Sequence, residues 1–425
     1  MQRGFYGWWI TAFAFLTFGI AVGIPYYGGP FFYDYYEKTF GWQRPAILLG
    51  FPLAATLTLW VGPLVVPRCS PRWLIVIGTG LTSLAFFGFS RMDGSLPLYY
   101  GLWFLYIVGY VFSGPIAHQV IVSNWFKRQR GTAMAVVYTG VAIFGSLGAK
   151  VLAQKVTDST GDFRWGLIAF AATLLLAWPI AIFGLRDRPS QLGQNPDGDA
   201  VAPADTHVAP KDFSYLMRQP AFWLLLIGSV CSIGSIGAIN QNMKFVFREQ
   251  GFADQKQLNE LFANASTCIL LSSLAGRLVM GYLADRFNKK GVMLATYALV
   301  AGAIPLLRLV SPSNESTVYI FSALFGFGMG ADYMLIPIMA AEKFGVNSLA
   351  RAMSIILPAD TLGQTWFPYL ISELQTRMGS YGPALNVVFA FAAIGAVAIL
   401  LLPGKSTQTD EALHVQDPQR APARG

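Results

Sequence analysis

Three ionisable side chains lie deep inside apolar stretches of this chain. Arg277 sits in Ser273-Leu-Ala-Gly276-Arg277, Asp332 in Gly326-Phe-Gly328-Met-Gly330-Ala-Asp332-Tyr333, and Asp360 in Leu357-Pro358-Ala-Asp360-Thr361. An ionisable group near the centre of a bilayer is costly unless it is paired or hydrated, so each is a candidate for function. The planar fork of an arginine bonds a carboxylate through two parallel hydrogen bonds. A buried carboxyl responds to desolvation and to a nearby arginine, which suits a group that gains and loses a proton. Two readings follow. Either Arg277 holds an anion while Asp332 or Asp360 cycles a proton, or an acid forms a permanent salt bridge with Arg277. One Asp can serve each purpose.

Other polar groups sit along the same runs. Tyr26 and Tyr27, beside Pro25, either close a pocket with ring area and hydroxyls or belong to an interfacial aromatic belt. His118 either contacts a substrate or relays protons, or it packs as a satisfied histidine. Asn240, Gln241 and Asn242 break an apolar run with three amides, a pattern that lines cavities inside bundles. Lys244 and Arg308 lie nearer run ends, where long side chains snorkel to the interface. No metal or cofactor is implied. Cys69, Cys231 and Cys268 lack paired spacing, and His118, His207 and His414 are unclustered.

The elements that must carry these residues are helices in lipid. Hydrophobic residues make up 54% of the 425 and charged residues only 12%, against roughly 25% charged in soluble domains. Such a chain cannot clothe itself in polar groups, so lipid is part of its solvent. About 20 mostly apolar residues span a bilayer. On that measure the sequence holds twelve runs, the first over 6–31 and the last over 381–403. The first run lacks a cleavage site and reads as a retained helix. The long polar break, 186–220, contains Pro189, Pro196, Pro203 and Pro210 and reads as a flexible linker. It separates six runs in 1–185 from six in 221–403. The tail, 404–425, reads as disordered. The net charge is +8, but Lys and Arg form short clusters between runs, with no recognition stripe for nucleic acid. Their distribution places both termini and the linker in the cytoplasm.

Two motifs sharpen the class. The eighth run ends Gly276-Arg277-Leu-Val-Met-Gly281-Tyr-Leu-Ala-Asp285-Arg286-Phe-Asn-Lys289-Lys290. Its glycines permit close helix approach, and Asp285 suits the positive end of the following helix. The matching place in the first half, Gly62-Pro-Leu-Val-Val-Pro-Arg68-Cys-Ser-Pro-Arg72, keeps the glycine and the basic residues but has no Asp. The second motif is Asn124-Trp125-Phe126-Lys127-Arg128-Gln129-Arg130-Gly131, followed by Gly140, Gly145 and Gly148. The first resembles the signature loop of the major facilitator superfamily. The second, with the opening Gly7-Trp8, resembles the monocarboxylate transporter and oxalate:formate antiporter branch. The resemblance implies an all-α major facilitator fold with twelve transmembrane helices in two six-helix halves. It assigns gating to Gly281, Asp285, Arg286 and Arg128, and it makes Arg277 the ligand of a substrate carboxylate.

The chain also departs from that branch. The first-helix lysine of animal monocarboxylate transporters falls on Tyr26, the acid one turn before the eighth-helix arginine falls on Ser273, and the eleventh-helix lysine of the oxalate carrier falls near Asp360. One arginine without a second cation suits a monocarboxylate better than a dicarboxylate. Proton coupling would then pass to Asp332 or Asp360, with Tyr26, Tyr27, His118, Asn240 and Gln241 beside the substrate. The expected protein is a monomeric carrier in the plasma membrane, a bacterial inner membrane on its compact loops, whose partners are a small molecule, protons and lipid. Proton-driven efflux of a cationic or neutral compound is the alternative, though the fifth run lacks the Gly-Pro pattern of drug antiporters. A membrane sensor or enzyme is a third class, opposed by the absence of a nucleophile–base pair or phosphate loop.

Overall fold

The computed structural model describes residues 5–404, apart from 60, 62–64, 66–68, 127–128, 200–212 and 346–347. Among these, twelve main helical runs follow one another: α1 Gly7–Phe40, α2 Arg44–Thr58, α3 Pro71–Ser90, α4 Leu96–Trp125, α5 Thr132–Thr160, α6 Phe163–Gly184, α7 Pro220–Glu249, α8 Gln255–Arg286, α9 Lys289–Leu307, α10 Thr317–Phe344, α11 Leu349–Met378 and α12 Tyr381–Leu400. Ten are long and apolar enough to cross a membrane. The exceptions have plain causes. The described helix of α2, Arg44–Thr58, is only 15 residues long, and the middle of α11 is diluted by Ser354, Pro358, Asp360, Thr361, Gln364, Thr365 and Pro368. The expected tail lies outside the described residues.

Local sequence explains the windings. Proline cannot donate to the carbonyl four residues back. In α1, Pro25 follows a π turn over Gly19–Gly23, and Pro30 sits in a 3₁₀ turn over Gly29–Phe32, so the helix loosens and tightens without ending. It ends only at Gly41, whose φ of +68° is the left-handed conformation that suits glycine. The first helix thus continues well past residue 31, where the apolar run stops, and takes Asp34 and Glu37 with it.

The packing repeats. Helix α1 lies on α5, α2 on α4, α3 on α4 and α6; α7 lies on α11, α8 on α10, and α9 on α10 and α12. Each contact in the first six helices recurs six helices later, the pattern of two similar halves. Between them, α2 lies against α11 and α5 against α8. Trp366 of α11 donates to the Thr56 hydroxyl of α2 at 2.9 Å, and Lys150 of α5 donates to Asn264 of α8 at 3.0 Å.

Part of the polar break is folded rather than free. Asp187 accepts from the Ser70 hydroxyl at 2.5 Å and from the Arg72 backbone amide at 2.9 Å, both at the start of α3. Asn124 and the Trp125 indole donate to the Asp187 and Arg186 carbonyls, and Gln194 accepts from the Tyr6 amide. Residues 200–212 lie outside the described residues, and Arg186–Asp199, the first part of the expected linker, is thus docked on the first half. Its prolines pre-set short turns that dock, and Asp187 brings a carboxylate to the positive end of α3, beside the loop that lacks one of its own.

Candidate functional site

The site begins with a crossing of α8 and α10 that only glycine permits. A Cβ on Gly330 would stand 1.8 Å from the Ser273 carbonyl oxygen, and one on Gly276 would stand 1.9 Å from that of Phe327. With the backbones in contact, Arg277 Nε donates to the Gly330 carbonyl at 3.3 Å. Its Nη1 is buried without a hydrogen-bond partner. Among the described residues Arg277 forms no ion pair with any acid. The permanent salt bridge to Asp332 or Asp360 is thus not formed. Tyr27 of α1 and Tyr138 of α5 are instead near enough to act on its charge.

A second glycine crossing delivers Tyr27. Cβ atoms on Gly23 and Gly148 would come within 2.6 Å of the Val141 carbonyl and 2.9 Å of the Ile24 Cα, so α1 and α5 touch. Gly145 leaves the gap that Tyr27 and Leu270 of α8 enter. Tyr26 and Tyr27 pack edge to face at 4.9 Å, and the buried Tyr26 hydroxyl has no partner. Two narrow cavities flank Tyr26. One is walled by Tyr26, Tyr27, Asn240, Ser266 and Leu270, the other by Tyr26, Tyr33, Phe51, Trp103, Tyr106 and Gln241. Asn240 donates to the Met329 sulfur at 3.4 Å, and Gln241 accepts from the Tyr33 hydroxyl at 2.9 Å. The structure therefore brings Tyr26, Tyr27, Asn240 and Gln241 together around the two cavities, where the halves meet, while Arg277 lines neither of them.

His118 is elsewhere. Its Nδ1 lies 2.9 Å from the Gly114 carbonyl and its Nε2 2.9 Å from the Thr17 hydroxyl, with Phe18 against the ring. Both nitrogens are satisfied inside the first half. The geometry gives His118 a packing place rather than one facing the cavities.

The two acids form their own cluster inside the second half. Ser232 of α7 donates to Asp332 Oδ2 at 2.5 Å, and Ser229, one turn earlier, donates to Asp360 Oδ1 at 2.7 Å. Asp332 Oδ1, Asp360 Oδ2 and the Tyr297 hydroxyl are buried without partners. Neither acid has an ion-pair partner among the described residues.

At the end of the bundle away from Arg186–Asp199, ion pairs bind the halves. Lys244 Nζ of α7 lies 2.7 Å from Asp34 Oδ1 of α1, with both side chains at most 2% exposed. It also donates to the Phe31 carbonyl at 2.6 Å and sits 3.8 Å over the Phe31 ring. Gln255 donates to Asp34 Oδ2 at 2.8 Å, and Arg248 pairs with Glu37 at 2.7 Å. Lys244 is therefore buried in a pair instead of snorkelling; α1 extends far enough to bring it an acid. Arg308 does reach out, donating to Asn386 at 2.6 Å from an exposed position.

Of the signature loop, Gly281 leaves room for the Met334 side chain and Arg286 lies 4.4 Å over the Tyr282 ring. Asn288 caps α9 by accepting from the Lys290 amide at 2.9 Å. Arg128 and the Asp285 side chain lie outside the described residues.

The profile of the Major Facilitator Superfamily matches residues 5–262 and 258–423, nearly the whole chain. The chain belongs to that superfamily. It is a multi-pass membrane transporter rather than an enzyme. Among similar proteins, the MFS transporter asaE of Aspergillus flavus is 25% identical over 392 residues, covering 88% of this chain and 80% of that one. Human monocarboxylate transporter 12 is 26% identical over 153 residues, 34% of this chain and 30% of its own. The inward-facing structure of a bacterial homolog of the human lysosomal transporter Spinster superposes with a TM-score of 0.66 at 13% identity, covering 94% of this transporter and 95% of that chain. That likeness concerns the fold.

Sequence reasoning missed Asp34, Tyr138, Ser229, Ser232 and Tyr297. Ser229 and Ser232, three apart in an apolar run, carried a readable signal: they share a helix face and can meet polar groups on a neighbour. Nothing in the sequence points to Tyr297.

Proposed function

We propose that this transporter is a proton-coupled carrier of a small organic anion such as a monocarboxylate, with Arg277 as the anion's ligand. The observation that carries the reading is the free edge of Arg277: a buried guanidinium nitrogen without a partner, and no ion pair with an acid among the described residues. A single carboxylate supplies what is missing there. Tyr27, Asn240 and Gln241 offer further hydrogen-bonding groups on the walls of the cavities, and Tyr26 supplies ring surface. Coupling is assigned to Asp332 and Asp360, where gain or loss of a proton changes a charge that no cation among the described residues pairs with. A route between the two sites exists. Arg277 binds Gly330 O, and Gly330 is two residues from Asp332 on α10, so an anion that re-aims the guanidinium acts on the helix that carries the acid.

The experiment is uptake of labelled monocarboxylates into liposomes, with and without an inward proton gradient. Gradient-driven accumulation is expected. Arg277→Ala should abolish it in a protein that still folds, and Arg277→Lys should keep partial uptake with a higher KM, since a point charge replaces a fork. Normal uptake by folded Arg277→Ala would falsify the assignment.

A second reading, export of a neutral or cationic compound, has one observation in its favour: Phe51, Trp103 and Tyr106 give one cavity an aromatic wall. A relative from Gibberella fujikuroi, the Fujikurins efflux protein, is 26% identical over 310 residues, 70% of this chain and 60% of its own. Displacement of bound label by lipophilic cations, and not by acids, would favour it.

A further inference from the structure

Two equivalent helix starts in this transporter are capped in different ways. Helices α3 and α9 hold the same place in the two halves, and each follows its half's copy of the signature loop. The first amides of a helix have no carbonyl of their own helix to bond, so a side chain must meet them. At α9 the answer is local: Asn288, just before the helix, accepts from the Lys290 amide at 2.9 Å. At α3 the corresponding residue is Ser70. It suits the same task, yet its side chain accepts from no amide of its helix. Its hydroxyl donates instead to Asp187 Oδ2 at 2.5 Å, and Asp187 Oδ1 accepts from the Arg72 amide at 2.9 Å. The cap of α3 thus comes from 115 residues further along the chain.

Every polar atom of Asp187 is engaged. Its amide donates to Gln191 Oε1 at 3.1 Å, and its carbonyl accepts from Asn124 of α4 at 2.9 Å. Beside it the Trp125 indole donates to the Arg186 carbonyl at 2.8 Å, while Gln194 accepts from the Tyr6 amide at 3.0 Å, just before α1. One segment leaving α6 therefore holds the neighbouring ends of α1, α3 and α4. The second half makes the equivalent contact with the chain leaving α12, but with cations on carbonyls. Lys290 of α9 donates to Leu402 O at 2.7 Å, and Lys343 of α10 donates to Pro403 O at 2.6 Å. That half keeps the acid in its loop, as Asp285. The loop of the first half has none, and its acid arrives from the segment after α6.

We propose that Asp187 takes the place of the missing signature-loop acid of the first half, and that Arg186–Asp199 is a clasp that makes α1, α3, α4 and α6 move as one body during transport. Transport in this fold moves one half against the other, so each half has to keep its helix ends in register. A carboxylate is favoured at the positive end of α3, and the bonds from its backbone to α4 pass any shift of one helix to the next. Asp187 is a positioning residue and lines neither cavity. The proposal does not depend on which solute is carried.

Hydrogen exchange of the purified full chain in detergent tests the clasp without any substrate. Asp187→Ala should speed exchange about tenfold or more at the start of α3. Exchange should also quicken at the start of α1 and the end of α4, and stay unchanged at the start of α9. Acceleration confined to α3 would overturn the clasp and leave a simple cap. In liposomes, the same variant should lose maximal rate of monocarboxylate uptake severalfold at unchanged KM, since the binding groups are untouched while the moving body is loosened. Adding Val66→Asp should return most of that rate, because residue 66 follows Gly62 as Asp285 follows Gly281. A double variant no faster than Asp187→Ala alone would overturn the replacement of the loop acid. So would wild-type exchange and rate in Asp187→Ala itself. If the wild-type protein moves no acid, the carrier reading fails, while the exchange pattern still decides the clasp.

Discussion

A single buried acid and a pair of them sit in this bundle in surroundings built in opposite ways. Asp34 is matched: Lys244 stands on one carboxylate oxygen and Gln255 on the other, and the pair crosses from α1 to α7. Asp332 and Asp360 are half-matched, each with one serine and one idle oxygen, and the cluster stays within the second half. A fully matched pair between two bodies stores its energy in their contact and loses it when they part. A half-matched cluster inside one body has capacity left for a ligand. The contrast separates a latch from a site.

The largest effect should come from breaking the latch. Lys244→Met strands the Asp34 carboxylate, and leaving a buried charge unpaired costs about 3–5 kcal/mol. Asp34→Asn should cost a similar amount. The double change Asp34→Asn/Lys244→Met removes both charges and should recover most of the loss. Thermal melting of the purified proteins measures all three. If the double variant loses the sum of the singles, the two residues are not coupled and the latch is only a proximity. The same double variant should also open this end more often, read as faster labelling of a cysteine placed at Tyr35.

Replacing Asp332 by Asn tests the other side of the contrast. The amide oxygen still accepts from Ser232, and no cation is stranded, so melting should change by no more than about 1 kcal/mol. Function should change far more: net accumulation of anion falls to the level of equilibration, while exchange of labelled for unlabelled anion persists. A melting loss as large as that of Lys244→Met would mean that Asp332 is structural, with a partner it holds in another conformation.

This contrast was only partly legible in the sequence. Apolar runs of spanning length, and a polar break between two sets of six, were enough for the bundle, because backbone in lipid has few ways to satisfy itself. Arg277, Asp332 and Asp360 stood out because charge in such runs is rare. What could not be read was pairing. Asp34 lies beyond the first apolar run, and only the π and 3₁₀ turns around Pro25 and Pro30 carry the helix on to it. Lys244 therefore looked like an interfacial side chain with nothing to bind. Likewise the lost acid of the first signature loop gave no hint that Asp187, more than a hundred residues later, places a carboxylate at the start of α3. Long-range partners are set by the fold, not by local pattern.

His118 provides the mildest test, since it is buried like the acids yet satisfied like Asp34. The Gly114 carbonyl can only accept, so in the neutral ring Nδ1 carries the proton and Nε2 accepts from the Thr17 hydroxyl. In His118→Leu, Thr17 can turn its hydroxyl back to the Phe13 carbonyl, already 2.9 Å away, and Gly114 O loses one donor. The cost should be about 1 kcal/mol, with uptake within about twofold of wild type. A fall in uptake much larger than that, at unchanged stability, would place His118 on the transport path. It would also show that a side chain with both nitrogens met in one conformation can still serve a ligand in another, which would blur the line between latch and site.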